Sequence, residues 1–174
     1  MAGFRETSIV EEETSYTEVT PWPGWVNAIL WGAIIVPCYP LLAGWDTDLD
    51  FGTRLAIVGS IVAVIVAAKF VLGGLTVLVQ ETQLFIHLGS TPLLRTKVPY
   101  VDIIELASVQ YHPIREFGGW GIRGFGKKRA WTARGDRAVA LRLAGDRELY
   151  VGSDHPQRLE ERIRAAAGGQ LVRP

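Results

Sequence analysis

The chain has one cysteine, Cys38, and one methionine in 174 residues. Cys38 lies inside an apolar run, so no internal disulfide and no multi-cysteine metal site can form, and its expected role is a small packing residue. Histidine is also sparse. His87, His112 and His155 stand at no metal-ligand spacing such as i, i+4, so no metal site is expected. Neither long apolar run carries a cluster of carboxylates, which leaves proton or ion transport without a relay. Net charge is zero, eighteen bases against eighteen acids, but the charges are segregated. Residues 1–54 hold eight acids and two bases, whereas residues 81–174 hold ten acids and fifteen bases. This polarity points to an acidic tail and to a basic face suited to anionic headgroups or an acidic protein, and away from nucleic acid.

What the sequence has in quantity is uninterrupted apolar chain. Residues 1–24, with Glu11, Glu12 and Glu13 and little aliphatic content, read as an acidic and mostly disordered tail. No cleavable signal peptide is expected, because the first apolar run follows an acidic stretch rather than a basic one. Trp22 and Trp25, set among Pro21, Pro23 and Gly24, suit a headgroup zone at a helix start. From Val26 to Trp45 no side chain is charged, and at about 1.5 Å per residue this run spans a hydrocarbon core of roughly 30 Å. Pro37 and Pro40 are expected to kink it and to need a packed neighbour. A short acidic link, Asp46 to Arg54, obliges the next span, about residues 55–72, to return antiparallel. Residues 25–73 thus form a transmembrane hairpin, with Gly59 and Ala63 as small residues allowing close helix contact. Lys69, Arg95 and Lys97 against Arg54 place both termini on the cytoplasmic side.

Beyond Gly73-Gly74 the pattern changes to short β-forming segments separated by turn residues. Leu75 to Val79 and Leu84 to Leu88 read as a hairpin; Ile103 to Tyr111, Ala130 to Ala133, Ala138 to Leu143 and Glu148 to Gly152 read as further strands. Ser153-Asp154-His155-Pro156 supplies cap candidates and an early proline for a terminal helix that Gly168-Gly169 ends. Leu159, Ile163 and Ala166 share one face of it and can cover the mouth of a curved sheet. Residues 169–174 are a tail.

Gly119-x-Gly121-x-x-Gly124 matches a dinucleotide fingerprint in letters only, because Phe125-Gly126-Lys127-Lys128-Arg129 is no helix start. A loop or hairpin with positive-φ glycines is the expected structure. The same segment carries Phe117, Trp120 and Phe125 with Arg115, Arg123, Lys127, Lys128 and Arg129, a mixture suited to a membrane interface or a protein partner. The competing reading packs Trp120 back onto the domain and leaves the bases as a solvated rim. Ser153, Asp154 and His155 are residue types of a hydrolase triad, yet adjacent residues cannot align in the required relay, so helix capping is expected instead. Glu11 to Glu13 read as a solvated tail or as a docking peptide for a basic surface.

Several strands closed by one helix, together with Tyr111-His-Pro-Ile-Arg-Glu-Phe-Gly-Gly-Trp-Gly-Ile-Arg123 and Tyr150-Val-Gly-Ser-Asp-His-Pro156, resemble the bacterial pleckstrin-homology-like (PH-like) membrane proteins over about residues 75–168. The resemblance implies an α+β fold in which a two-helix transmembrane hairpin precedes a small PH-like antiparallel β-barrel or sandwich capped by a C-terminal helix. It also implies a multi-pass protein of the bacterial inner membrane with a non-catalytic binding or scaffolding role and no cofactor. The expected function is an accessory, assembly or scaffolding subunit bracing the cytoplasmic face of a larger membrane complex, of respiratory or photosynthetic type among others. Its partners are then the lipid bilayer and other integral membrane subunits. An anionic-lipid sensor, drawing about 1 kcal/mol per base near the surface, is the alternative. An enzyme with an unrecognised site comes third.

Overall fold

The computed structural model of the chain describes residues 13–44, 48–71 and 73–170. The expectations for Glu11, Glu12, Trp45, Asp46, Leu72 and residues 171–174 lie outside these. Part of the expected disordered tail, residues 1–24, is instead strand β1, Thr14–Thr20. Its register against β2, Leu75–Gln80, runs from Thr14 opposite Gln80 to Thr20 opposite Leu75. The long helices therefore form an insertion between two hydrogen-bonded neighbouring strands.

These helices are α1, Gly24–Ala43, and α2, Phe51–Val71, each long and apolar enough to cross a membrane by length and composition. α2 starts four residues earlier than Leu55, because the Asp50 carboxylate accepts the Thr53 amide at 3.0 Å and the Thr53 hydroxyl at 2.6 Å. Arg54 is accommodated by donating from Nε to the Leu49 carbonyl at 2.9 Å. α1 runs through both prolines, and Cys38 between them is its one buried side chain. Trp25, Trp31, Val36, Val64 and Phe70 are all more than half exposed, an apolar girdle that calls for non-aqueous surroundings. Gly59 and Ala63 do not serve the α1–α2 contact. Ile57, Ile61, Ile65 and Ala68 are the partly covered face of α2, Gly59 and Ala63 are exposed, and a Cβ built on Gly59 meets nothing within 4 Å.

Two sheets complete the fold. The first has the order β1-β2-β3-β4, with β3 at Gln83–Leu88 and β4 at Leu94–Pro99. Strict alternation buries Leu75, Val77, Val79, Leu84, Ile86 and Leu88 on one face. A 3-10 turn at Tyr100–Asp102 leads to β5, Ile103–Gln110, and the Tyr100 hydroxyl is held by the Gln80 carbonyl at 2.6 Å. The chain continues through α3, Pro113–Phe117; β6, Gly121–Arg123; β7, Lys128–Thr132; β8, Arg137–Leu143; and β9, Arg147–Gly152. The second sheet is ordered β5-β8-β9-β7-β6. Among the described residues there is no closed barrel, and β7 and β9 pair in parallel, which corrects the all-antiparallel expectation. β9 inserts between β8 and β7 and pairs antiparallel only with the former.

The second sheet crosses the first. β9 ends beside β1, where Glu18 meets Ser153, and it begins beside β4, where Arg147 and Leu149 line a cleft with Lys97 and Val98. Crossed sheets leave corners to be filled. α4, Pro156–Ala167, fills the corner among β1, β2, β5 and β8 with Leu159, Ile163 and Ala167, all fully buried.

Glu160 pins α4 to β5, accepting the Ser108 amide at 2.7 Å and the Ser108 hydroxyl at 2.6 Å, while Arg164 donates to the Leu106 carbonyl at 2.6 Å. Burial pushes the Glu160 carboxyl up, but the bonds from Ser108 and Arg164 outweigh it and hold the group below its ordinary 4.5. With the folded value below the unfolded one, Glu160 contributes stability that is complete above the unfolded value and lost as pH falls through the folded one. The melting temperature is expected to fall on acidification below 4.5. A Glu160→Gln variant should melt lower at neutral pH and converge on the wild type in acid, as read by thermal melts across a pH series.

Candidate functional site

The segment singled out for its aromatics and bases divides into three groups. Phe117 and Lys128 belong to an aromatic box at the surface, closed by contacts within the chain. The Phe117 ring meets Tyr150 edge-on at 5.2 Å and Tyr111 at 5.9 Å, and the Lys128 ammonium stands 4.9 Å from the Tyr150 centroid and 5.1 Å from Phe117. Glu116 closes the box with a 3.2 Å ion pair to Lys128. Burial lowers the Lys128 ammonium, but Glu116 and Tyr150 more than offset this and leave it above its ordinary range. The His112 amide, and then Lys128, hold Glu116 below the ordinary carboxylate value. These groups fasten α3 onto β7 and β9 and are not a free docking face.

Trp120 is likewise committed. Its indole N–H donates to the Gly135 carbonyl at 2.8 Å, its carbonyl accepts Arg123 Nε at 3.0 Å, and its ring tilts against Trp25 of α1 at 6.4 Å. Trp22 packs on the core, and a Cβ on Gly121 would lie 3.9 Å from its ring. The β6 edge of the second sheet therefore lies at the end of the domain from which the helices leave. Pro37 and Pro40 sit in the half of α1 remote from this junction.

Arg115, Phe125, Lys127 and Arg129 form the third, exposed group. Phe125 is 97% exposed at the tip of the β6–β7 turn. That turn needs glycine: Gly124 has φ +90°, and a Cβ there would lie 2.2 Å from the Lys128 carbonyl oxygen. The Gly-x-Gly-x-x-Gly letters thus serve a hairpin, and a strand rather than a helix follows them. Lys127 is paired with Asp146 at 2.8 Å, both side chains being open to solvent.

Lys127 and Arg129 also belong to a cleft of about 320 Å³ between the edge of β4, the β6–β7 hairpin and the β8–β9 turn. Arg95, Lys97 and Arg147 bring its bases to five, against the acids Asp102 and Glu148. Arg147 reaches Asp102 at 3.8 Å, whereas Arg95, Lys97 and Arg129 have no carboxylate partner among the described residues. The buried side chains of Val98, Trp131, Leu143 and Leu149 line the interior. Arg95, Lys97 and Arg147 are missed as site residues by the sequence, because only the crossing of the sheets brings them to Lys127 and Arg129.

Ser153, Asp154 and His155 have structural partners. Ser153 Oγ donates to Glu18 at 2.6 Å and accepts the His155 amide at 3.0 Å, and Asp154 forms a 2.6 Å ion pair with Arg134. Among the described residues no group of three or more His, Cys, Asp or Glu is placed to hold a metal ion. In comparisons with known proteins, no family model and no curated protein matches the chain.

Proposed function

We propose that the chain is a two-span protein of the bacterial inner membrane, with both termini and a PH-like β domain on the cytoplasmic side. In this reading it serves as a non-enzymatic accessory, assembly or scaffolding subunit of a larger membrane complex. The observation that carries it is the insertion of the helix pair between β1 and β2, where Thr20 pairs with Leu75. Both helices leave from adjacent positions of one sheet, and the Ser90 amide further ties the β3–β4 loop to the Phe70 carbonyl of α2 at 3.0 Å. Such a joint gives a brace: a subunit that grips the helices sideways also fixes where the domain stands. Lys69, Arg95 and Lys97 on the domain side, with only Arg54 by the link, support the orientation. The crossed sheets with α4 in one corner support the PH-like reading.

The face of α2 turned away from α1 suits lateral packing, since small residues let helix backbones approach in lipid. The wild-type chain, tagged at its C-terminus and purified from native membranes in mild detergent, is expected to run as a larger assembly on native gels. Replacing Gly59 and Ala63 together by Leu should lower recovery of that assembly several-fold without shifting the melt, because the Gly59 face is open. Recovery of monomer alone from the wild type sinks the scaffold reading.

A further inference from the structure

Where α1 and α2 meet the domain, the helix pair holds a cavity of about 220 Å³ whose apolar walls include Trp22, Val26, Leu30 and Ala68. A groove of about 470 Å³ beside it runs past Val66 and Phe70 to Ser90. Asn27 and Lys69 line both, so cavity and groove make one notch with two polar side chains in it. Gly59 and Ala63 are not part of its lining.

Lys69 is turned the wrong way for a simple interfacial anchor. A lysine near a span end ordinarily extends its ammonium toward water. α2 runs toward the domain, so its Cα–Cβ bonds tilt away from the domain and into the span. The ammonium accordingly stands 5.6 Å from the ring centroid of Trp31, a residue roughly 10 Å along α1 from Gly24 at about 1.5 Å per residue. Among the described residues Lys69 has no carboxylate partner and the Asn27 amide has no hydrogen bond. A cation and an amide left unpaired in an apolar belt are costly, and an anionic acceptor within reach of both removes that cost.

Depth decides what supplies the acceptor. A lipid phosphate stays at the headgroup plane, outside the hydrocarbon into which Lys69 is turned. A carboxylate on a transmembrane helix is held at that depth by the apolar residues around it, and its two oxygens can take one donor each. Trp31, 57% exposed, and Phe70, 56% exposed, offer such a helix apolar surface on either side of the notch.

We propose that this notch receives a transmembrane helix of a partner subunit, whose glutamate or aspartate near the cytoplasmic end pairs with Lys69 and accepts from the Asn27 amide. The assignment deepens the scaffold reading and rests on α1 and α2 being membrane spans. It gives the lateral contact selectivity, because a helix without the carboxylate would leave the lysine unpaired.

The test uses the full chain, labelled at its C-terminus, in phosphatidylcholine bilayers, with labelled leucine–alanine transmembrane peptides as probes. One peptide carries a glutamate one turn in from its end, and the other a glutamine there. Energy transfer is expected to show the glutamate peptide binding about tenfold or more tightly, as for a hydrogen bond between charged groups. Lys69→Met should erase that preference, whereas Lys69→Arg, which keeps the charge, should retain it. Asn27→Leu should reduce it, and Gly59→Leu combined with Ala63→Leu should leave it intact. Equal binding of the two peptides by the wild type overturns the assignment, as does a preference that survives Lys69→Met. Displacement of the glutamate peptide by phosphatidylglycerol at the peptide's own concentration overturns it in favour of a lipid headgroup. Recovery of wild-type monomer alone from native membranes, with the glutamate preference intact, is a failure of the scaffold reading and not of the notch. Release of the chain from membranes by alkaline carbonate removes both.

Discussion

Replacing Glu18 by Ala should destabilise the domain by about 3 kcal/mol and lower its melting temperature by about 10 °C. Glu18 is only 8% exposed, and its two oxygens hold together parts of the chain some 135 residues apart. One oxygen accepts the Ser153 hydroxyl at 2.6 Å, the Asp154 amide at 3.0 Å and, more weakly, the His155 amide at 3.4 Å. The other accepts the Tyr16 hydroxyl at 3.3 Å. The two amides stand at the start of α4, whose N-cap His155 makes no side-chain cap of its own. A carboxylate from β1 therefore does the work of an N-cap from outside the helix, where the backbone carries positive partial charge. Truncation leaves a buried hydroxyl and an amide without partners, which costs more than the bonds themselves contributed. Glu18→Gln keeps one acceptor oxygen and should lose about 1 kcal/mol. Hydrogen exchange gives an independent readout: the amides of Asp154 and His155 should exchange faster in the alanine variant while those of β3 stay protected. A loss under 1 kcal/mol, with unchanged exchange at those amides, would show that β1 only lies against α4 and does not cap it.

The same residue shows why β1 could not be read from the sequence. A half-buried strand announces itself by apolar residues at every second position. In β1 the inward set is Tyr16, Glu18 and Thr20, while Val19 is 58% exposed, so the alternation is inverted and the segment looks like a polar tail. Its inward carboxylate is satisfied only by groups at Ser153 to His155, far along the chain. β2 and β3 were legible for the opposite reason, since their buried positions are all Leu, Val or Ile. α1 and α2 were legible from length and apolarity, apart from the first turn of α2, where Arg54 looked like a boundary but folds back onto the Leu49 carbonyl. β4 was hidden by Arg95, Lys97 and Pro99, and β6 by being three residues long inside a glycine run.

The candidate surface was legible in composition and not in arrangement. Five of its eight residues turned out to be held by bonds or rings: Phe117 and Lys128 in the aromatic box, Trp120 and Arg123 at the α1 junction, and Lys127 on Asp146. Of the remaining three, Arg115 and Phe125 are open to solvent, and Arg129 joins a cleft only beside Arg95 and Lys97 from another sheet. Counting charges along a loop cannot show which of them the fold has already used.

Leu159 in α4 and Phe125 in the β6–β7 turn give the sharpest contrast in expected stability. Leu159→Ala in α4 should cost about 3 to 4 kcal/mol, since its side chain is wholly buried among both sheets and its removal leaves a cavity that a crossed-sheet core closes poorly. Phe125→Ala, at the tip of the β6–β7 turn, removes a larger side chain and should change stability by less than about 0.5 kcal/mol, because that ring is 97% exposed. Chemical denaturation of both variants in the same detergent tests the pair, with the midpoint read at constant slope so that only stability is compared. If Leu159→Ala were as mild as Phe125→Ala, α4 would be lying on the sheets rather than plugging them. If Phe125→Ala were as costly as Leu159→Ala, the ring would be packed against the protein rather than open to solvent. A large loss at Leu159 beside none at Phe125 leaves α4 committed to holding the fold and the tip of the β6–β7 turn outside the core.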